Sequence, residues 1–174
     1  MSEKILLVGS GAREHSIAKA INRSTNLNDM FCLASNINPG IASLCKEFVV
    51  DDFNNPETVS SYATKNNISM AVIGPENPLQ NGVVDSLWNL GVGVVGPKKD
   101  LAQIETSKTF TRNLLKKHNI PGGPKYKTFK SLDGVQDFLK ELDENYVVKF
   151  DGLAGGKGVK VSGDHLASHK EALE

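Results

Sequence analysis

Between Lys4 and Pro97 the chain alternates short apolar runs with segments of helical period, and no other feature limits its fold so tightly. The runs are Ile5–Val8, Phe31–Ala34, Phe48–Val50, Met70–Ile73 and Val92–Val95. Short runs unbroken by charge are the pattern of strands buried on both faces of a parallel sheet. Between them, Ile17, Ala18 and Ile21 recur at helical spacing from Glu14 to about Ser24. Val59, Tyr62 and Ala63 do the same in a helix opened by Pro56–Glu57 and closed by Asn66–Asn67. A further helix, with Val83, Val84, Leu87 and Trp88 expected inward, stops near Gly91. This alternation predicts an open, doubly wound parallel sheet over roughly residues 1–97. Such sheets bind ligands beyond the carboxyl ends of their strands, where Gly9, Asn38, Glu76 and Gly96 fall.

The first of those ends is Gly9-Ser10-Gly11-Ala12-Arg13-Glu14-His15. A strand that ends in a glycine-rich turn and enters a helix aims backbone N–H groups at one point, which attracts phosphate. A dinucleotide fingerprint, G-x-G-x-x-G, would need a third glycine where Glu14 stands. It would also need an acid at the tip of the second strand, where this chain has Ser35-Asn36. NAD is therefore disfavoured. Arg13 and His15 suit a phosphate or its esterified sugar, and Glu14 suits an amine or hydroxyl. Glu76, in Gly74-Pro75-Glu76-Asn77-Pro78, is held on a stiff loop at the same edge.

After Pro97 the pattern changes. A helix with Phe110, Leu114 and Leu115 on one side is expected from about Thr106 to His118, followed by the linker Pro121-Gly122-Gly123-Pro124. Then come a strand candidate, Tyr126–Phe129, a helix carrying Leu132, Val135, Phe138, Leu139 and Leu142, the strand Tyr146–Phe150 and the strand Val159–Val161. The loop between those last strands is Asp151-Gly152-Leu153-Ala154-Gly155-Gly156-Lys157-Gly158. It is not a P-loop: Asp151 stands where the first glycine belongs, Gly158 follows the lysine, and a strand rather than a helix comes next. Glycines around one lysine can fold down over a triphosphate, or form an ordinary mobile hairpin. Lys149 either faces a cleft from its strand or is solvated. Lys108, in the first turn of its helix, opposes the macrodipole and hints at a nearby anion. A final helix would carry His165 and His169 four apart, but without a visible third ligand the spacing favours a solvated face over a metal site. The chain reads as one domain followed by the beginning of a second.

Composition removes several classes of function. The 174 residues contain 20 Lys+Arg and 20 Asp+Glu, so no basic field favours nucleic acid. The two cysteines, Cys32 and Cys45, have no C-x-x-C spacing, which fits a reducing compartment and argues against structural zinc. No apolar stretch approaches the ~18 residues of a membrane span, so a cytoplasmic protein acting on small molecules is expected, with no membrane partner.

Four motifs in order, Lys4–His15, Ile73–Leu79, Glu105–Lys108 and Val147–Val159, resemble the glycinamide ribonucleotide synthetase family of the ATP-grasp superfamily. The resemblance covers the amino-terminal part of that family. It implies a Rossmann-like (pre-ATP-grasp) α/β domain over residues 1–104, a connecting helix and linker over 105–124, and the incomplete start of an ATP-grasp α+β domain over 125–174. It also implies ATP-dependent ligation of glycine to 5-phosphoribosylamine through glycyl phosphate, in purine biosynthesis. By similarity, Lys108 and Lys149 hold ATP phosphates, and the loop with Gly152, Gly155, Gly156, Lys157 and Gly158 closes over them. Asp151 lies near the reacting groups, with Lys149 and Lys157. Gly9, Ser10, Gly11, Arg13, Glu14 and His15, with Asn38, Gly40, Glu76 and Pro78, line the phosphoribosylamine pocket. The magnesium ligands of the family are expected downstream of Glu174, and this chain alone is expected to be inactive. A different ATP-grasp ligase and a non-catalytic sugar-phosphate-binding module are the alternatives; the Arg13-Glu14-His15 and Pro75–Leu79 segments count against a carboxylase.

Overall fold

The computed structural model describes residues 3–25 and 28–174. Contacts divide the chain into two compact units, Met1–Gln103 and Ile104–Glu174. In chain order the first unit runs β1 (Glu3–Val8), α1 (Ala12–Asn22), β2 (Asn28–Ala34), α2 (Pro39–Ala42), β3 (Glu47–Val50), α3 (Pro56–Asn66), β4 (Met70–Ile73), α4 (Glu76–Asn81), α5 (Val83–Asn89) and β5 (Gly93–Val95). Helix α6 (Lys99–Thr106) follows. The five strands form one sheet in the order β3-β2-β1-β4-β5, every neighbouring pair parallel.

β1 is the centre, and its sequence explains why. Leu7 lies opposite Cys32 of β2 on one side and Val72 of β4 on the other. Leu6, Leu7 and Val8 are fully buried, because both faces of the sheet are covered. On one face Leu6, Val8, Phe31, Leu33, Ala71 and Ile73 pack with Val59, Tyr62 and Ala63 of α3 and Val83, Val84 and Leu87 of α5. On the other, Leu7, Met30, Cys32 and Ala34 pack with Ala18 of α1 and Ile41 of α2. From β1 the sheet grows one way through β2 and β3 and the other way through β4, so the order reverses between β1 and β4. This is the doubly wound α/β fold anticipated above, and its crevice lies beyond Val8 and Ile73.

Three expectations for the first unit need correction, the first being that Glu76 lies on a loop, since it is the first residue of α4. The segment after β4 is two helices, broken at Gly82, rather than one. Trp88 is 48% exposed instead of inward, because Val83, Val84 and Leu87 already fill the face of α5 that meets the sheet. Its ring lies under the Lys98 ammonium, 5.3 Å from the centroid. The short α2 was not anticipated; Asn38 caps it and Pro39 opens it.

The second unit holds α7 (Lys108–Lys117), α8 (Val135–Leu142), β6 (Val147–Lys149) and β7 (Val159–Val161). β6 and β7 pair antiparallel as a hairpin. Its small core is Leu139, Tyr146 and Leu166, with Val135, Leu142, Val148, Ala172 and Leu173 against them. Tyr126–Phe129 forms no strand; it contributes rings instead, Phe129 lying 6.0 Å from Phe138 of α8. The expected final helix is also absent, apart from a 3₁₀ turn at Glu171–Leu173. A tight turn takes its place, in which the Val161 N–H donates to Nδ1 of His165 and the Gly163 N–H to the Leu166 carbonyl. His165 and His169 therefore share no helix face, and His169 packs edge-on against Tyr146.

The central position of β1 sets its sensitivity. Leu6→Ala should lower unfolding stability by about 3 kcal/mol, read as a shift of the denaturant midpoint at unchanged slope. A loss below about 1 kcal/mol would mean that β1 is not the packing centre.

Candidate functional site

At the β1/β4 crevice two turns meet. The first, Gly9–Gly11, is held to the sheet by the Gly9 N–H, which donates to the Leu33 carbonyl at 2.9 Å. Gly9 has φ +116°, a region that side chains avoid, and a methyl there would lie 2.8 Å from Cδ of Pro75 and 2.9 Å from Cγ of Glu14. Glycine is required both for the bend and for the approach of the second turn. That turn begins at Gly74, whose N–H donates to the Val8 carbonyl at 3.1 Å.

Glu14, the residue that spoils the dinucleotide fingerprint, fills the space between the turns. It is 5% exposed, and its carboxylate accepts the Gly11 N–H at 2.6 Å. A methyl at Gly74 would run into this carboxylate. As third residue of α1, Glu14 takes a backbone donor at the helix start, the reach-back half of a capping box. Arg13 turns outward and ties the two turns together. One Nη1 donates to the Gly74 carbonyl at 2.7 Å and to Oε1 of Glu76 at 2.9 Å. The hydrogen bond from Arg13 holds the Glu76 carboxyl below its ordinary range. Pro78, expected beside the ligand, is fully buried within α4.

A third turn supports the first. Asn38 accepts the N–H groups of Gly40 at 3.0 Å and Ile41 at 3.3 Å, and its Nδ2 donates to the Ser10 carbonyl at 2.9 Å. The ring of His15 lies against Gly40. Underneath, the Cys32 thiol meets the Gly9 carbonyl at 3.5 Å. A hydrogen bond with Cys45, and then burial, push the Cys32 thiol up, so it remains protonated.

In the second unit the glycine-rich loop is anchored at its root and open at its tip. Asp151 sits at the start of α7, accepting the N–H groups of Lys108 at 2.7 Å and Thr109 at 3.2 Å. The Ser107 hydroxyl donates to it at 3.3 Å and itself caps the helix through the Phe110 N–H. Burial pushes the Asp151 carboxyl up, and the hydrogen bonds from Thr109, Lys108 and Ser107 outweigh it and hold the group below its ordinary value. The chain thus supplies a carboxylate of its own at this helix start, held by backbone N–H groups. The Lys108 ammonium donates to the Gly152 carbonyl at 2.8 Å, tying the helix and loop a second time. Further on, the Phe150 N–H donates to the Gly158 carbonyl at 2.8 Å. The Lys157 N–H donates to Ala154 across Gly155 and Gly156, whose φ values are +54° and +80°. Both central residues of this turn need positive φ, as in a type I′ hairpin turn. A methyl placed on either glycine would meet nothing within 4 Å, and Lys157 is exposed. Lys149 is exposed on β6, and Val148 faces the core.

Of the residues singled out in the sequence, the structure brings Gly9, Ser10, Gly11, Arg13, Glu14, His15, Asn38, Gly40 and Glu76 together in the first unit. It brings Lys108, Asp151 and Gly152 together in the second. Sequence reasoning missed Gly74, whose carbonyl receives Arg13, and Ser107 and Thr109, which hold Asp151. A serine before an amphipathic segment is a helix-start signal, so Ser107 was findable. Among the described residues no three His, Cys, Asp or Glu side chains converge as a metal site, and no helix is long and apolar enough to cross a membrane.

Residues 3–105 match the family described as phosphoribosylglycinamide synthetase, N domain, and residues 106–174 match its ATP-grasp (A) domain. The chain is 48% identical over 171 residues to the phosphoribosylamine–glycine ligase of Methanosphaera stadtmanae, covering 98% of this chain and 38% of that protein. It is 47% identical over 169 residues to the Methanosarcina barkeri ligase of the same name, covering 97% of this chain and 39% of the relative. The chain thus spans well under half the length of these curated relatives. The crystal structure of phosphoribosylamine–glycine ligase from Thermotoga maritima superposes with a TM-score of 0.73 at 24% identity, over 98% of this chain and 37% of that one, a likeness of fold.

Two results are expected from this geometry. Glu14→Ala removes the acceptor of the Gly11 N–H and leaves a gap between three glycines, so it should cost about 1–3 kcal/mol of stability, measured by denaturant unfolding. Asp151 should stabilise the second unit in a pH-dependent way. Its folded pKa is depressed, so the contribution is complete above the ordinary value of 3.8 and fades as pH falls through the lower folded value. Asp151→Asn should remove this acid dependence and about 0.5–1 kcal/mol at neutral pH, detectable as a flatter stability-against-pH curve between pH 5 and 2.

Proposed function

Because the chain belongs to the phosphoribosylglycinamide synthetase family, we propose that its protein ligates glycine to 5-phosphoribosylamine with ATP, giving glycinamide ribonucleotide, ADP and phosphate. The glycine carboxylate attacks the γ-phosphorus of ATP and ADP departs. The amine of phosphoribosylamine then attacks the acyl carbon of glycyl phosphate, phosphate leaves and the new amide nitrogen loses a proton. Such chemistry asks a protein mainly for positioning and charge neutralisation.

In this reading the first unit holds the sugar phosphate. The observation that carries it is the Arg13 bridge from the α1 turn to Gly74 and Glu76 at the sheet's reversal point, with the helix start aimed into the same crevice. Ser10, Arg13 and His15 contact the phosphoribosyl group. Glu76 receives the amine or a hydroxyl. Glu14, already bonded to Gly11, shapes the turn from behind. The second unit holds the triphosphate. Lys108 and Lys149 neutralise its charge, and Gly152–Gly158 closes over it with Lys157 at the tip, moving about an anchored root. Asp151 sets that root and through it the position of Lys108. The ATP-grasp family implies magnesium, but the described residues do not fit a metal site, so no residue of this chain is assigned to it. The domain division proposed is a substrate domain over 1–104, a connector over 105–124 and nucleotide-binding structure over 125–174. A cytoplasmic location is in keeping with two free thiols.

Two measurements test the reading. By calorimetry the 174-residue chain should bind ribose 5-phosphate and yet form no ADP with glycine and phosphoribosylamine, because it spans only 38% of a relative such as the Methanosphaera ligase. In the ligase of full family length, Lys157→Ala should lower kcat by about a hundredfold with little change in KM for phosphoribosylamine. Failure of the chain to bind ribose 5-phosphate, or an effect of Lys157→Ala confined to the phosphoribosylamine KM, would overturn the assignment.

A further inference from the structure

Asn38 and Gly40 lie at the carboxyl edge of the sheet among the residues proposed to meet phosphoribosylamine, yet their contacts point into the protein. The Asn38 side-chain oxygen already accepts two N–H groups, from Gly40 and Ile41, which fills its lone pairs. Its nitrogen donates to the Ser10 carbonyl at 2.9 Å. Turning the amide over would set its NH₂ against two N–H groups and its oxygen against a carbonyl, so the orientation is fixed by its partners. Gly40 meets the ring of His15, where a methyl would overlap the imidazole. Gly40 lies inside α2 without positive φ, so this contact, and not backbone freedom, is what keeps the position small. The four-residue helix and its cap therefore touch the phosphate turn on both sides, Asn38 at Ser10 before α1 and Gly40 at His15 within its first turn.

We propose that Asn38 and Gly40 are positioning residues that act through Ser10 and His15 and set the spacing of the groups that grip the substrate's phosphate. The inference rests on the reading that the Gly9–His15 turn binds the phosphoribosyl group. Asn38 couples the α2 cap to the α1 turn, so an error at the second strand's end is passed directly to the first. A side-chain donor that fixes a backbone carbonyl removes the turn's freedom before the ligand arrives.

The test uses ribose 5-phosphate as probe and calorimetry on the 174-residue chain. Asn38→Asp and Asn38→Ser both keep a good helix cap but lose the donor to Ser10. Gly40→Ala raises helix propensity and displaces His15. All three should bind ribose 5-phosphate about tenfold to a hundredfold more weakly, as misplaced binding groups do. Their unfolding midpoints should stay near that of the unsubstituted chain, and their amide resonances should move at Ser10, Gly11 and His15. A purely structural role would instead lower the midpoints and leave the affinity of the folded chain unchanged, and affinities equal to the unsubstituted chain in all three variants would overturn the proposal. If the unsubstituted chain itself does not bind ribose 5-phosphate, the substrate assignment fails, and this inference fails with it.

Discussion

Burying a carboxylate is costly unless a hydrogen bond compensates it, and the crevice of this protein is built around one that is compensated. Glu14 lies beneath the surface with the Gly11 N–H on its carboxylate. Gly9, Gly11 and Gly74 are the residues against which it packs, and a side chain on any of them would meet it. The two turns approach closely because Glu14 fills the gap. Arg13, its neighbour on α1, then reaches across to Gly74 and Glu76. The spacing Arg-Glu-His at the start of one helix thus yields three directions. One points across the crevice, one into the turn, and one back onto α2 through Gly40.

Much of this architecture was legible in the sequence because burial on both faces leaves a simple trace. β4 falls on its expected bounds, and the apolar runs expected for β1 and β2 are the carboxyl-terminal parts of longer strands that open on Glu3-Lys4 and Asn28-Asp29. Legibility fell where burial is one-sided or local hydrogen bonding decides. Trp88 looked inward by helical spacing but sits at the rim under Lys98, because three smaller residues satisfy α5. The segment after Val161 was expected to be a helix carrying His165 and His169, yet the ring of His165 accepts the Val161 N–H and a turn forms instead. Tyr126–Phe129 pairs with no strand of the β6-β7 hairpin, and its aromatic ends are used in packing instead, Phe129 against Phe138.

The residues of the candidate site were read as types suited to anions, and their division of labour was not visible in one dimension. Nothing in the order of Glu14 and Glu76 reveals that the first is buried against glycines and the second pairs with Arg13. Likewise nothing around Lys108 announces that Asp151, 43 positions further along the chain, accepts the N–H groups at its helix start, or that its ammonium meets the Gly152 carbonyl. Ser107 carried its own signal, since a hydroxyl before an amphipathic segment is a cap. Asn38 carried half of one: its capping of α2 follows from Asn-Pro-Gly, and its grip on Ser10 is a tertiary contact.

In the proposed function the two glycine-rich turns serve different phosphates, a sugar phosphate at Gly9–His15 and a triphosphate at Gly152–Gly158. Amide hydrogen exchange with each ligand in turn tests this most directly. In the ligase of full family length, ribose 5-phosphate should slow exchange in residues 9–15 and leave residues 152–158 as they are, and ATP should do the reverse. Protection of residues 9–15 by ATP, with none from ribose 5-phosphate, would contradict the division and return the first turn to the nucleotide.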